Sequence, residues 1–210
     1  MCLFMKGIRS IIVNAALGAL CAGLSACNVY DDPGDGGSSS GEGYFSNVDA
    51  TSYTDWVYID LRGGTSEKLG MEAEAPAEWD FAMHRYDCKT NGGSVFETGY
   101  TVLDDAVEAW KAGTFDDVSW VADVWSTDKI IVDMSGMMDG NIEYAETYYN
   151  AEFTKWLDLD LSVMPPVYTP SDKVYLLKTA AGEVAAVRFG NYMNDAGVKG
   201  YISFEYVFPL

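Results

Sequence analysis

Lys173 to Phe208, "KVYLLKTAAGEVAAVRFGNYMNDAGVKGYISFEYVF", decides the fold class. Three apolar-rich runs with β-branched and aromatic residues are parted by an Ala-Gly turn at 181–182 and an Asn-Asp-Ala-Gly turn at 194–197. Turn chemistry of this kind joins antiparallel neighbours, so the stretch reads as a three-stranded meander. The same signals recur upstream. "DWVYIDLRGG" (55–64) reads as a strand with apolar residues on both faces, ended by Gly63–Gly64. "EWDFAMHRYDC" (78–88) alternates as a single strand closed by the Asn91-Gly92-Gly93 turn. "KIIVDM" (129–134) puts Ile130, Val132 and Met134 on one face, and "EFTKWLDLDLSV" (152–163) gives another strand around Trp156. "DDAVEAWKAG" (104–113) is the one helix candidate, with Asp104 or Asp105 as cap, Ala106, Val107 and Trp110 as apolar stripe and Gly113 as stop. The expectation is a mainly β protein: one antiparallel β domain with one or two short helices.

Composition agrees. Hydrophobic residues make up 49% of the 210 positions and aromatics 14%, enough for a core, and 21 glycines supply turns. Thirty-two acids face thirteen bases, a formal net charge of -19. Such a chain is repelled by nucleic acid and by anionic membrane surfaces, so neither is an expected partner.

The first residues read as a processing segment. Lys6 and Arg9 precede a mostly apolar run from Ile11 to Leu24, short and rich in small residues. Translation starting at Met5 would leave the same signal. Leu24-Ser25-Ala26-Cys27 resembles a lipobox, in which Cys27 is acylated and heads the mature chain. The expected organisation is a lipoprotein signal over 1–26, a flexible acidic Gly/Ser tether over 27–44 and a β domain over 45–210. The acidic residues after Cys27 resemble the export signal of surface lipoproteins in the Bacteroidetes. That places the chain in the outer membrane, held only by its lipid and exposed at the cell surface. Cys2 and Cys21 lie in the leader, so Cys88 is alone in the domain and reads as a small strand residue.

Catalytic motifs are lacking: no phosphate loop or HExxH occurs, and the GxSxG match at 37–41 is part of the Gly/Ser tether rather than a strand-to-helix elbow. A triad would need His84, the single histidine, which sits mid-strand beside Arg85 and reads as structural. With 32 acids, a carboxylate pair carries no information, and "TFDDVSW" (114–120) lacks the ladder of a calcium loop. The expectation is a non-enzyme.

The methionines stand out. "VDMSGMMDG" (132–140) holds Met134, Met137 and Met138, and Met164 precedes Pro165 and Pro166. A thioether is a soft, neutral ligand for ferrous haem iron or Cu(I), and it is also a good filler of irregular core space. Met134 continues the Ile130/Val132 face and is expected in the core. Met137, Met138 and Met164 lie in loops, where packing and ligation both remain open.

Four stretches change that balance: "WDFAMHRYDCKTNGG" (79–93), "MSGMMDGNIEYA" (134–145), "KWLDLDLSVMPPVYTPSDKVYLLKTAAGEVAAVRF" (155–189) and "GVKGYISFEYVFPL" (197–210). In order and spacing they resemble the HmuY family of haem-binding lipoproteins of Bacteroidetes, from about Tyr53 to Leu210. The resemblance implies a mainly β fold gripping haem b between two loop-bearing projections. The best-known member ligates iron with two histidines. This chain has none in either region, around Gly140 or from Leu161 to Met164. His84 belongs to a framework strand and does not replace them. Relatives with a methionine pair imply Met137 or Met138 with Met164 as axial ligands. The sequence does not separate the two neighbours, and Met137 is favoured. Tyr144 and Tyr168, with Tyr148 and Tyr149, are candidates to line the pocket or meet propionates, against the plainer reading of surface tyrosines. Lys129, Lys155 or Lys173 would offset the chain's acidity there. The implied role is capture of haem from host or bacterial haemoproteins and delivery to a TonB-dependent outer-membrane receptor. The alternative is a family member that has lost haem binding and serves as an adhesin or protein-binding module. A glycan binder or hydrolase is a third class.

Overall fold

The computed structural model describes residues 41–210. The signal segment, Cys27 and most of the tether lie outside the described residues. Gly41 to Tyr44, assigned to the tether above, begin a strand instead.

In chain order the strands open with β1 (Gly41–Asp49), β2 (Asp55–Asp60), β3 (Thr65–Gly70), β4 (Phe81–His84), β5 (Asp87–Thr90) and β6 (Ser94–Glu97). Helix α1 (Leu103–Lys111) follows. Then come β7 (Val121–Ala122), β8 (Val124–Gly136), β9 (Asn141–Tyr149), β10 (Leu157–Asp160) and β11 (Val167–Pro170). The chain closes with β12 (Val174–Lys178), β13 (Val184–Met193) and β14 (Lys199–Phe208). Every strand pairing is antiparallel.

The main sheet runs β1-β14-β13-β12-β6-β7, so the expected meander lies in its middle. The runs there are apolar throughout because both faces are covered. Tyr175, Leu177, Val187, Phe189 and Phe204 point into one core, shared with Ile59, Phe81 and Met83 of the four-stranded sheet β3-β2-β4-β5. Val174, Leu176, Ala186 and Val207 point the other way, onto Ala106, Val107 and Ala109 of α1. The strand period of two thus serves two cores at once.

Several local expectations are revised. "EWDFAMHRYDC" is not one strand. It folds back at Arg85 and Tyr86, with Arg85 at φ 56, into the β4–β5 hairpin. No glycine marks that turn. Asp104 and Asp105 do not cap α1, which starts after Val102 without a side-chain cap. They lie inside its first turn, where carboxylates offset the positive end of the helix dipole. Phe153–Trp156 form a 3₁₀ turn rather than strand, and β10 begins only at Leu157.

Candidate functional site

Two hairpins stand apart as separate two-stranded sheets: β8–β9 and β10–β11. At the base of the first, Ile130 is fully buried and packs with Trp56, Tyr58 and Ala82. Beyond Ile130 the register is irregular, shifting between Ile131 and Asp133 and again before Gly136. The tip is a 3₁₀ turn, Met137–Asp139, closed by the N–H of Gly140 donating to the Met137 carbonyl at 3.1 Å. Gly140 takes φ 78, which favours glycine. At Gly136 a side chain is sterically barred, since its Cβ would fall 2.6 Å from the Asn141 carbonyl oxygen.

The second hairpin carries the loop Leu161 to Pro166. Its base is fixed by Trp156, whose Nε1–H donates to the Tyr86 carbonyl at 2.9 Å and whose ring stacks on Phe189 at 4.5 Å. Tyr168 stacks on Tyr192 at 5.3 Å, and the Lys199 ammonium lies 4.1 Å from the Tyr168 ring centroid. Lys199 Nζ also donates to the Pro166 carbonyl at 3.0 Å, tying the loop's exit to β14.

The two methionine-bearing tips are entered by the same device. Asp133 accepts from Ser135 N–H (2.7 Å) and Oγ–H (2.9 Å), and Asp160 accepts from Ser162 N–H (2.9 Å) and Oγ–H (2.5 Å). These Asx turns bend the chain locally out of its strand. The same bonds hold both carboxyls below their usual range.

Met137 is 47% exposed, Met138 90% and Met164 86%, so none of the three fills a core. Leu161, Val163 and Val167 are exposed around Met164. Met134, expected in the core, is only half-buried. It sits where β8 has left the body of the protein, so the Ile130 face no longer meets a partner. Tyr144 lines a 650 Å³ cavity with Val132, at the flank of β8–β9. Tyr168 is half-buried in its stack. The three lysines are otherwise engaged: Lys129 lies 3.6 Å from Asp128, Lys155 2.6 Å from Glu152, and Lys173 donates to the Gly99 carbonyl.

The HmuY protein family matches residues 52–206. The chain belongs to the HmuY family. A Bacteroides vulgatus structure described as a HmuY-like heme-binding protein is similar to it, with 47% identity and a TM-score of 0.71, over 81% of this chain and 92% of that one. A Bacteroides fragilis structure described as a lipoprotein shows 46% identity and a TM-score of 0.72, over 84% and 92%. The apo HmuY analogue of Tannerella forsythia shows 25% identity and a TM-score of 0.71, over 84% of this chain and all of that one. No curated protein matches. The HmuY-like neighbours share the mainly antiparallel β architecture.

Within this HmuY-family framework, His84 is structural. It is 1% exposed, with Nε2 at 3.0 Å from the Tyr53 carbonyl, and burial pushes it down to about 4. Its hairpin partner Asp87 is also buried, and burial pushes that carboxyl up to about 7. The two act oppositely on stability. Between its unfolded value near 3.8 and about 7, Asp87 binds a proton in the folded chain that the unfolded chain has released, so stability falls as pH rises. Between about 4 and 6.5, His84 is neutral when folded and charged when unfolded, so stability rises with pH. Asp87→Asn removes the first slope. Urea titrations from about pH 4 to pH 8 should show the variant gaining on the parent as pH rises, by on the order of 4 kcal/mol at the upper end. An equal offset at every pH would contradict the linkage.

Sequence reasoning missed a polar knot under β8–β9. Asn150, fully buried, donates to Asp123 (2.9 Å) and to the Val121 carbonyl (3.0 Å), and its Oδ1 accepts from Phe153 N–H. Asp123 also accepts from Thr90 N–H and Oγ–H. One asparagine thereby joins β5, β7 and the start of the second hairpin's 3₁₀ turn. It gives no signal in sequence, because an asparagine after a strand ordinarily marks a turn.

Proposed function

We propose that this HmuY-family chain is a haem-binding surface lipoprotein. It takes haem b between its two hairpins and ligates the iron with Met164 and one of Met137 and Met138. The carrying observation is that soft thioethers, of no use to the core, sit exposed on the tips of two separate hairpins. Thioether ligands favour ferrous over ferric iron. The apolar Leu161, Val163 and Val167 beside Met164 offer surface for the porphyrin, and burial of the disc at about 25 cal/mol per Å² would supply most of the affinity. The description of the Bacteroides vulgatus relative as heme-binding supports the same reading. Lipidation at Cys27, display on the outer membrane and handover to a TonB-dependent receptor complete the proposal. Haem would come from host or bacterial haemoproteins.

The test is a haem titration followed by absorbance, with and without dithionite. The expected result is saturation at one haem per chain, with the sharp visible bands of low-spin ferrous haem after reduction. Absence of saturable binding in both redox states would overturn the reading and favour a protein-binding role for the exposed tips.

A further inference from the structure

Among the described residues Lys89 on β5 makes no salt bridge within 4.0 Å, its opposing charge being the more distant Asp123. Its ammonium lies 4.1 Å from the ring centroid of Trp56, 5.2 Å from that of Tyr58 and 5.8 Å from that of Trp79. Its one hydrogen bond is long, to the Tyr58 hydroxyl at 3.5 Å. An ammonium has three N–H donors, and donors withdrawn from water without acceptors are costly. Three aromatic faces offset part of that cost. Burial accordingly pushes Lys89 down to about 8.

The donors are not sealed in. Lys89 and Thr147 line two cavities, of 650 and 480 Å³, both within the range of small-ligand sites. The larger is also lined by Asp55, Glu72 and Glu146. The smaller is also lined by Trp79, Asn91, Asp123 and Tyr148, and Asp123 is the carboxylate whose charge acts on Lys89. Tyr148 is 52% exposed and meets Trp125 edge-on at 5.1 Å, itself 56% exposed. An exposed aromatic pair beside a polar cleft is a recognition feature rather than a packing one.

Charge selects the occupant. An anion would meet Lys89, but also Asp123 in the smaller cavity or three carboxylates in the larger, and a chain of net charge -19. A cation would meet the ammonium. Carboxylates only accept hydrogen bonds and an ammonium only donates, whereas a hydroxyl does both. The geometry points to a neutral carbohydrate in the smaller cavity, a pyranose whose hydroxyls accept from Lys89 and donate to Asp123. Its C–H face would lie on Tyr148 or Trp79. None of Met137, Met138 and Met164 lines either cavity, and the smaller does not include Tyr144, so the proposal does not depend on haem binding.

The test is tryptophan fluorescence of the haem-free protein, since Trp56 and Trp79 adjoin the cleft. Glucose, galactose, mannose, N-acetylglucosamine and lactose would be titrated, with glucuronate and choline as charged comparators. At least one neutral sugar should saturate with a dissociation constant of about 1 mM or below. Lys89→Met and Tyr148→Ala should each weaken it roughly tenfold, about 1.4 kcal/mol. Tyr148 is exposed, so its variant keeps the question open even if Lys89→Met misfolds. The haem titration of Lys89→Met should match the parent, which keeps this outcome distinct from that of the haem proposal. No saturation by any neutral sugar, tighter binding of glucuronate than of glucose, or unchanged affinity in both variants would overturn the inference.

Discussion

Met164→Ala is expected to weaken ferrous haem binding by about a hundredfold or more while leaving the fold intact. Even second-shell partners of metal ligands are worth about 10–100-fold in affinity, and an axial ligand should exceed that. Stability should not change, because the side chain is 86% exposed and removes nothing from a core. The reduced spectrum is the sharper readout, since thioether ligation favours the ferrous state. Of Met137→Ala and Met138→Ala, one should behave like Met164→Ala and the other like the parent. Neighbours on a 3₁₀ turn point about 120° apart, so one porphyrin face can take only one of them. If Met164→Ala binds haem like the parent in both redox states, the ligand assignment is wrong, though binding by the hairpins could survive it.

Trp156→Ala should cost the most stability, about 4 kcal/mol. Removing a fully buried large aromatic costs roughly 3–5 kcal/mol through lost burial and the cavity left behind. The Tyr86 carbonyl would also lose its donor, a penalty of about 1–3 kcal/mol that overlaps with the first. Trp156→Phe separates the parts: it keeps an aromatic ring against Phe189 and loses only the N–H donor and some volume. Urea unfolding should order the chains parent, Phe, Ala. A loss below about 1.5 kcal/mol for alanine would mean that the site collapses around the void. Because Trp156 ends where β10 begins, haem affinity should fall in the alanine variant as well, even where it remains folded.

The meander was legible because its turns are made by glycine-bearing sequences and its strands are buried on both faces. Local glycine and apolar runs carried that information. β3 was not anticipated, since "TSEKLG" is mostly exposed and polar, held by pairing to β2 rather than by burial. The break between β4 and β5 was hidden because Arg85 takes φ 56 in place of a glycine, its guanidinium donating to the Thr51 carbonyl and lying over Tyr53. That is a tertiary cause, absent from any local pattern. Met134 shows the converse: Ile130 is buried as expected, but the register shifts beyond Ile131 break the alternation, and Val132 and Met134 are only half-buried. The exposure of Met137, Met138 and Met164 depends on the two hairpins leaving the main sheet. Sequence alone left packing and ligation open at these positions. Lys89 was unmarked, because "DCKT" says nothing of the three aromatic rings that β2 and the 71–80 loop bring to it.

β14 lies between β1 and β13, pairing Gly41 with Phe208 on one side and Ala186 with Val207 on the other. The main sheet is therefore closed by strands from opposite ends of the described chain, and this contact has the largest sequence separation in the fold. Loop-closure entropy places such a pairing late in folding. β1 is made long before the strand that joins it to β13. The two hairpins pair only near neighbours and have no such wait. Until this ten-residue strand is in place, β1 has no partner in the main sheet and the central sheet stays open.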